Sequence, residues 1–269
     1  MKAVKFILKS LIVFFGIIYL MYVSYVYFNQ EEMVFMASKL PKDYRFEFQQ
    51  DFEEINIPSF DNNKLNGLLF KVPNPKGLVF YLHGNANSLN SWGAIANVYT
   101  SLGYDIFILD YRGYGKSEGK IVSQDQFLKD VTYAYKKLAT RYDEDKIVVT
   151  GYSIGTGAAA YLAANEHPKM LVLQAPYYNF LEFSSAKAPF IPDFLKKFTF
   201  ETNQYIKNVK LPVYIFHGNQ DHLIGLENSE RLKKLLKPTD SLFVLKGQGH
   251  LGINDNADFR AKLKQILNQ

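Results

Sequence analysis

The chain has 269 residues, no cysteine and a formal net charge of +5. That length fits one large domain with a substantial core, and the lack of cysteine excludes both a disulfide framework and a thiol nucleophile. Lys2, Lys5 and Lys9 supply much of the excess charge from an acid-free first 30 residues, so the near-balanced remainder argues against a nucleic-acid partner.

Residues 1–30 are a different kind of sequence from the rest. Ser10 to Phe28 is an uncharged apolar run that, as a helix rising about 1.5 Å per residue, spans roughly a bilayer's hydrocarbon thickness. The three lysines precede it, while Glu31 and Glu32 follow. Positive charge held inside places the amino terminus in the cytoplasm and the remaining chain on the far face. Tyr19, Tyr22, Tyr25 and Tyr27 crowd the distal end, as in an interfacial belt. A cleaved signal peptide would have a shorter apolar core ending in small residues, whereas this run ends in Tyr-Phe-Asn-Gln. A retained transmembrane anchor is expected over residues 1–30, followed by a connector over 31–52.

From residue 53 onward strand-like and helix-like runs alternate. Glu53–Pro58 and Lys64–Lys71, joined by Asp61-Asn62-Asn63, read as an antiparallel edge hairpin. Further strands are expected at Gly77–Leu82, Lys146–Thr150, Met170–Ala175, Leu211–Gly218 and Ser241–Lys246. Helices are expected over Leu89–Leu102, Gln124–Arg141, Gly157–Glu166, Glu227–Leu236 and Asp255–Leu267. This alternation is the pattern of βαβ units on a mostly parallel sheet, an α/β fold with helices on both faces.

The most informative stretch is Gly151-Tyr152-Ser153-Ile154-Gly155, which joins the β-branched run ending at Thr150 to the small-residue helix that follows. G-x-S-x-G at a strand-to-helix junction is a nucleophile elbow, in which a sharp turn lifts the serine to the top of a sheet. The Ile154 N–H then faces the place where an oxyanion forms. An elbow serine is followed along the chain by an acid and then a histidine. Asp221, beyond the strand ending at Gly218, and His250, in the loop after Lys246, satisfy that order, and in a parallel sheet both loops open at the same carboxyl-terminal edge.

Rivals exist for each role. His83 and His217 end strands and suit buried or turn positions, His167 precedes Pro168 at a helix end, and His222 adjoins Asp221. Asp240 precedes its strand, at the wrong edge, and Asp255 lies near His250 in sequence. The second oxyanion donor is expected from His83-Gly84-Asn85, where Gly84 would allow a backbone turn closed to other residues and direct the Asn85 N–H. On that reading only the Asn85 amide matters, and an alanine there keeps substantial activity. The same stretch also reads as an ordinary turn with Asn87 or Ser88 capping a helix.

Taken together, the elbow, His83-Gly84-Asn85, the Asp110–Gly119 stretch, the Gly218–Asp221 loop and Gly249-His250 resemble the α/β-hydrolase superfamily. Within it the chain is most similar to the membrane-anchored, serine aminopeptidase-like branch with depalmitoylase-like and lipase-like members. The resemblance covers about residues 50–269. It implies an α/β-hydrolase fold with a Ser153–Asp221–His250 triad and the Asn85 and Ile154 amides as oxyanion hole. Asp110–Gly119 then reads as that branch's loop after the fourth strand, tied down by Asp110 and Arg112.

The hydrolase domain is expected over 53–269, with a lid at about 177–208. Its many aromatics, broken up by Pro189 and Pro192, either cover an acyl or aromatic group or pack the lid onto the sheet; packing is expected of most. Lys196, Lys197, Lys207 and Lys210 suit a solvated face or anionic head groups. Gly247–Gly252 matches G-x-G-x-x-G, but no strand remains to complete a dinucleotide-binding unit. No P-loop, H-E-x-x-H or metal-spaced cluster occurs, so neither cofactor nor metal is expected. The expected function is hydrolysis of a carboxylic ester or thioester carrying an acyl, lipid-like group, the substrate being a lipid or an acylated protein. One alternative is a peptidase on the same triad, with Glu182, Glu201 or Asp193 holding a free amino terminus. The other is a membrane-tethered binding protein without catalysis.

Overall fold

The computed structural model of the protein describes residues 2–268. Helix α1 (Lys2–Val34) is 33 residues long and continues past the Phe28 end of the uncharged run. It is long and apolar enough to cross a membrane. Its side chains are exposed over most of that run, but Val26 and Gln30 are buried against the rest of the protein. The following segment stays on the body: Phe35 and Phe46 are buried, and Ser38 and Leu40 exchange backbone hydrogen bonds with Gly115 at 2.8 and 2.9 Å.

Strands β1 (Phe52–Pro58) and β2 (Lys64–Phe70) form the hairpin, turning at Asn62 with φ 65°. After them come β3 (Leu78–Leu82), the short helices α2 (Leu89–Trp92) and α3 (Ala96–Thr100), β4 (Asp105–Leu109) and α4 (Gln124–Ala139). Then follow β5 (Ile147–Tyr152), α5 (Gly155–Asn165) and β6 (Met170–Gln174). The insert carries α6 (Phe180–Lys187) and α7 (Thr202–Asn208), and the chain closes with β7 (Val213–Gly218), α8 (Glu227–Lys233), β8 (Ser241–Leu245) and α9 (Ala257–Leu267). The helix expected over Leu89–Leu102 is broken by a 3-10 turn at Gly93–Ile95. Glycine supports a helix poorly, and it is needed there because a Cβ would fall 2.2 Å from the Phe48 ring.

One eight-stranded sheet has the order β1-β2-β4-β3-β5-β6-β7-β8, antiparallel at β1–β2 and β2–β4 and parallel elsewhere. The period-2 alternation of strand side chains splits the core between its faces. Leu78, Phe80 and Leu82 of β3 join Phe127, Val131 and Tyr135 of α4 and the alanines of α5. Val79 and Tyr81 join Tyr99 of α3 and Phe259 and Leu263 of α9. Small side chains on α5 let it lie close to β5 and β6. The crossover leaving β3 runs to β4 on one side and that leaving β5 runs to β6 on the other, so a crevice opens at the carboxyl ends of β3 and β5.

Two ties fix the loops at that edge. Arg112 donates to both carboxylate oxygens of Asp61 at 2.7 Å and to Asp130 at 2.5 and 2.7 Å, holding the Asp110–Gly119 loop to the hairpin turn and to α4. Buried Gln174, at the end of β6, accepts from the Tyr81 hydroxyl at 3.2 Å and donates to the Tyr99 hydroxyl at 3.0 Å. It also exchanges hydrogen bonds of 3.3 Å with Asn254, which lies in the segment leading into α9.

In the lid, Lys196 and Lys197 do not form the solvated face expected of them. The Lys196 side chain is buried with Asp193 at 2.6 Å, and Lys197 pairs with Glu31 of α1 at 2.7 Å beneath the Tyr27 ring. Glutamate and lysine approach each other there because the lid is packed against α1, an arrangement the sequence does not announce.

Replacing Gln174 with leucine would remove four side-chain hydrogen bonds from this buried network and leave Tyr81, Tyr99 and Asn254 with their bonds to one another. The expected cost is about 1–3 kcal/mol in urea unfolding. Wild-type stability in Gln174→Leu would show the network to be dispensable.

Candidate active site

The elbow is built by the lack of space around it. β5 ends at Tyr152 and α5 begins at Gly155, leaving Ser153 at φ 51°, the left-handed region that serine seldom occupies. A Cβ on Gly155 would lie 2.3 Å from the Leu82 carbonyl oxygen, and one on Gly151 would lie 2.7 Å from the Gly155 carbonyl oxygen. Only glycine fits either place. The strained residue is held by the hydrogen bond from its N–H to Gln174 O at 2.9 Å and from the Thr156 N–H to its carbonyl at 3.0 Å.

The three residues expected to converge do so. His250 Nε2 lies 2.9 Å from Ser153 Oγ, and His250 Nδ1 lies 2.7 Å from Asp221 Oδ2. Asp221 Oδ1 accepts the N–H groups of Leu223 and Ile224, both at 2.9 Å. Burial alone would push the Asp221 carboxyl up. Hydrogen bonds from His217, His250 and the Ile224 amide outweigh it and hold the group well below the usual carboxylate range. An anion at Nδ1 assigns the proton to that nitrogen and leaves the Nε2 lone pair for the serine hydroxyl.

The rival residues lie elsewhere or play other parts. His83 is buried, 3.2 Å from Asp110, with its carbonyl accepting from the Tyr111 hydroxyl at 2.7 Å. His167 and His222 are exposed. Asp240 is at the opposite edge, accepting from Val213 N–H at 3.1 Å, and Asp255 pairs with Arg260. His217, which sequence reasoning assigned only a buried position, stands behind the acid. Its Nε2 is 3.3 Å from Asp221 Oδ2 and 2.8 Å from Ile224 O, and its Nδ1 is 2.6 Å from Ser229 Oγ. Tyr152 donates its hydroxyl to the His250 carbonyl, steadying the last loop.

Asn85 and Ile154 both line the cavity at Ser153. Among the described residues neither backbone N–H donates to a protein acceptor, so both are available to a developing oxyanion. Gly84 does not supply the special backbone turn expected of it. Gly84 is not in the left-handed region; Ala86 and Asn87 are, at φ 64° and 60°. Gly84 is required for room instead, since a Cβ would stand 2.8 Å from the Tyr152 ring.

Asn85 has a second task that its sequence context does not reveal. Its side-chain amide donates to the carbonyl of Val34, the last residue of α1, at 2.6 Å. Its Oδ1 accepts from the Met36 and Ala86 N–H groups at 2.8 and 3.0 Å and from the Tyr114 hydroxyl at 2.8 Å. One side chain therefore clamps the end of α1, the loop after β4 and the oxyanion turn together.

The cavity beyond Ser153 measures about 520 Å³, within the range of small-molecule sites. Tyr177, Phe180, Phe183 and Phe198 of the lid form one wall, and Val26, Met33 and Val34 of α1 form another. Its charged lining is basic, from Lys187 and Lys196; no aspartate or glutamate lines it among the described residues. Glu182 is engaged by Arg231 at 2.7 Å and Asp193 by Lys196. The α1 wall was not foreseen because an apolar anchor reads as lipid-facing along its whole length.

Residues 73–204 match the family model described as serine aminopeptidase, S33. Human alpha/beta hydrolase domain-containing protein 17B is 30% identical over 207 residues, covering 73% of this chain and 68% of that protein. The chain belongs to the α/β-hydrolase superfamily. The mouse 17C protein is likewise 30% identical to this α/β-hydrolase, over 220 residues, covering 77% of the chain and 64% of the relative. The Pyrococcus furiosus esterase Pf2001 shares the fold, with a TM-score of 0.68 at 21% identity over 87% of this chain and 98% of that one. Eight strands, the antiparallel edge hairpin and the insert before β7 are thus an α/β-hydrolase fold, and the chain is a hydrolase.

The clamp changes the expectation for Asn85. Removing four hydrogen bonds around the amide expected to serve as oxyanion donor displaces it, and small misplacements cost up to roughly 100-fold. Asn85→Ala is expected to lower kcat/KM for a short p-nitrophenyl ester by about 10- to 100-fold. Activity within twofold of wild type would show that the backbone amide holds its place unaided.

Proposed function

We propose that this α/β-hydrolase is a membrane-anchored serine esterase or thioesterase that transfers an acyl group to water. The observation that carries the reading is His250 bridging Ser153 and Asp221 beside two unengaged amides at the base of an apolar cavity. As Ser153 Oγ attacks the acyl carbonyl carbon, His250 Nε2 takes the serine proton. The carbonyl oxygen becomes an oxyanion received by the Asn85 and Ile154 N–H groups, an interaction worth roughly 3–4 kcal/mol per donor. The C–O or C–S bond then breaks and the leaving group departs with the proton from His250. Water attacks the acyl-enzyme with His250 again as base, the carboxylic acid leaves and Ser153 regains its proton. Throughout, the Asp221 carboxylate fixes the imidazole tautomer and stabilises its charged form.

The apolar lining favours an acyl chain over a peptide. A free α-amino group entering the cavity would meet Lys187 and Lys196 and no carboxylate, which weighs against an aminopeptidase despite the name of the matched family. Helix α1 supports anchoring by its length and composition. Lysines at its start favour a cytoplasmic amino terminus with the active site on the opposite face. The substrate class is then an acyl ester or thioester of a lipid or an acylated protein.

Ser153→Ala is expected to abolish both p-nitrophenyl ester turnover and labelling by a fluorophosphonate probe. Undiminished labelling of the variant would remove Ser153 as nucleophile. In a substrate panel, aminoacyl amides are expected to react at least about 100-fold more slowly than acyl esters or thioesters, because the cavity gives their ammonium group no partner. The reverse preference would return the protein to the peptidases.

A further inference from the structure

The lid touches α1 at two levels. Near the body, Gln30 Nε2 donates to Leu195 O at 2.8 Å and Gln30 Oε1 accepts from Lys197 N–H at 2.9 Å. Further out, the Tyr19 hydroxyl donates to Phe190 O at 3.1 Å. Eleven residues of helix separate those levels, about 16 Å along its axis. The lid therefore runs back along α1 to Tyr19, the middle of the uncharged Ser10–Phe28 run and about 13 Å from its Phe28 end.

The loop at that depth is made for an apolar surrounding. Phe190 and Phe194 are 73% and 86% exposed, and with Leu251 at 78% they are the most exposed large apolar side chains outside α1 among the described residues. Pro189 and Pro192 have no N–H to satisfy. The Ala188 N–H donates to Ser184 O at 2.8 Å and the Ile191 N–H to Ala188 O at 3.2 Å, while Phe190 O receives Tyr19. These bonds satisfy part of the loop's backbone internally, which lowers the cost of seating a non-helical segment in lipid. The single acid of the loop, Asp193, is neutralised by Lys196 at 2.6 Å. Behind the loop, Ile191 and Phe198 line the cavity, and exposed Leu223 and Leu251 stand on its rim.

We propose that lid residues 188–195 are seated in the bilayer beside α1, so that the cavity opens toward lipid and takes long acyl chains from the membrane. The inference rests on reading α1 as an anchor and the cavity as an acyl site. Helix, lid and cavity rim then form one continuous apolar surface. An acyl chain reaches Ser153 along the α1 wall without crossing water.

The test uses the full-length chain in phosphatidylcholine vesicles. Because it has no cysteine, Phe190→Cys and Phe194→Cys each carry a single environment-sensitive fluorophore, with Val244→Cys as a control on β8. Labels at 190 and 194 are expected to be quenched by lipids brominated along their tails and shielded from iodide, with the control showing the opposite. The Phe190→Ser/Phe194→Ser double variant is expected to lose at least about tenfold in turnover of a long-chain acyl ester held in vesicles. Its hydrolysis of a soluble short-chain ester should be unchanged. Iodide quenching at both lid positions, or undiminished vesicle turnover by the double variant, would overturn the proposal. So would shielding that follows protein concentration rather than lipid, which would seat a second copy there. Quenching does not require turnover: lipid-quenched labels on a protein whose Ser153 is unreactive would sink the acyl-transfer reading and leave the membrane seat standing.

Discussion

The contact between Gly155 and the Leu82 carbonyl is the constraint from which the rest of the site follows. It sets the end of β3 directly against the turn between β5 and α5, with no room for a methyl group. Because of it, the loop that leaves β3 passes beside Ser153 and sets Asn85 on the same cavity as Ile154. The left-handed backbone of Ser153 is a local cost of order 1–3 kcal/mol, offset by the ladder on both sides of β5 and by the hydrogen bond to Gln174 O. Strain concentrated at one residue aims a side chain that would otherwise lie along the strand.

Charge in the site is organised around one buried carboxylate. Asp221 is drawn into the interior only because donors surround it: two amides of its own loop, His250 and His217. An unpartnered buried carboxylate would take up a proton. With these donors it stays anionic, and its direction dictates that of His250. His217 is held in turn by Ser229 and the Ile224 carbonyl, so the acid rests on a residue whose own geometry is fixed. Precision at Ser153 thus originates three side chains away from it, at His217.

Helix α1 is a structural member of the site rather than an appendage to it. Val34 and Met36 share the Asn85 side chain with the oxyanion turn. Gln30 and Glu31 hold the lid, and Phe35 packs on Phe127 and Phe198 in the core. Movement of α1 relative to the body would be felt at Asn85 and at the cavity wall together.

Much of this was legible in the chain itself. Alternating apolar runs specify strands and helices, and a parallel sheet brings the loops after β5, β7 and β8 to one edge whatever their separation in sequence, so Ser153, Asp221 and His250 could be named from order and context alone. What escaped were interactions between elements with no sequence relation. The clamp of Asn85 on Val34, the support of Asp221 by His217, the pairing of Lys197 with Glu31 and the reason for Gly84 all depend on which surfaces meet. Local pattern fixes what a segment is, because hydrogen-bond periodicity and side-chain burial are set within a few residues. Which side chain stands beside which is fixed only by packing, where one apolar helix face turns toward a cavity and the rest of that helix does not.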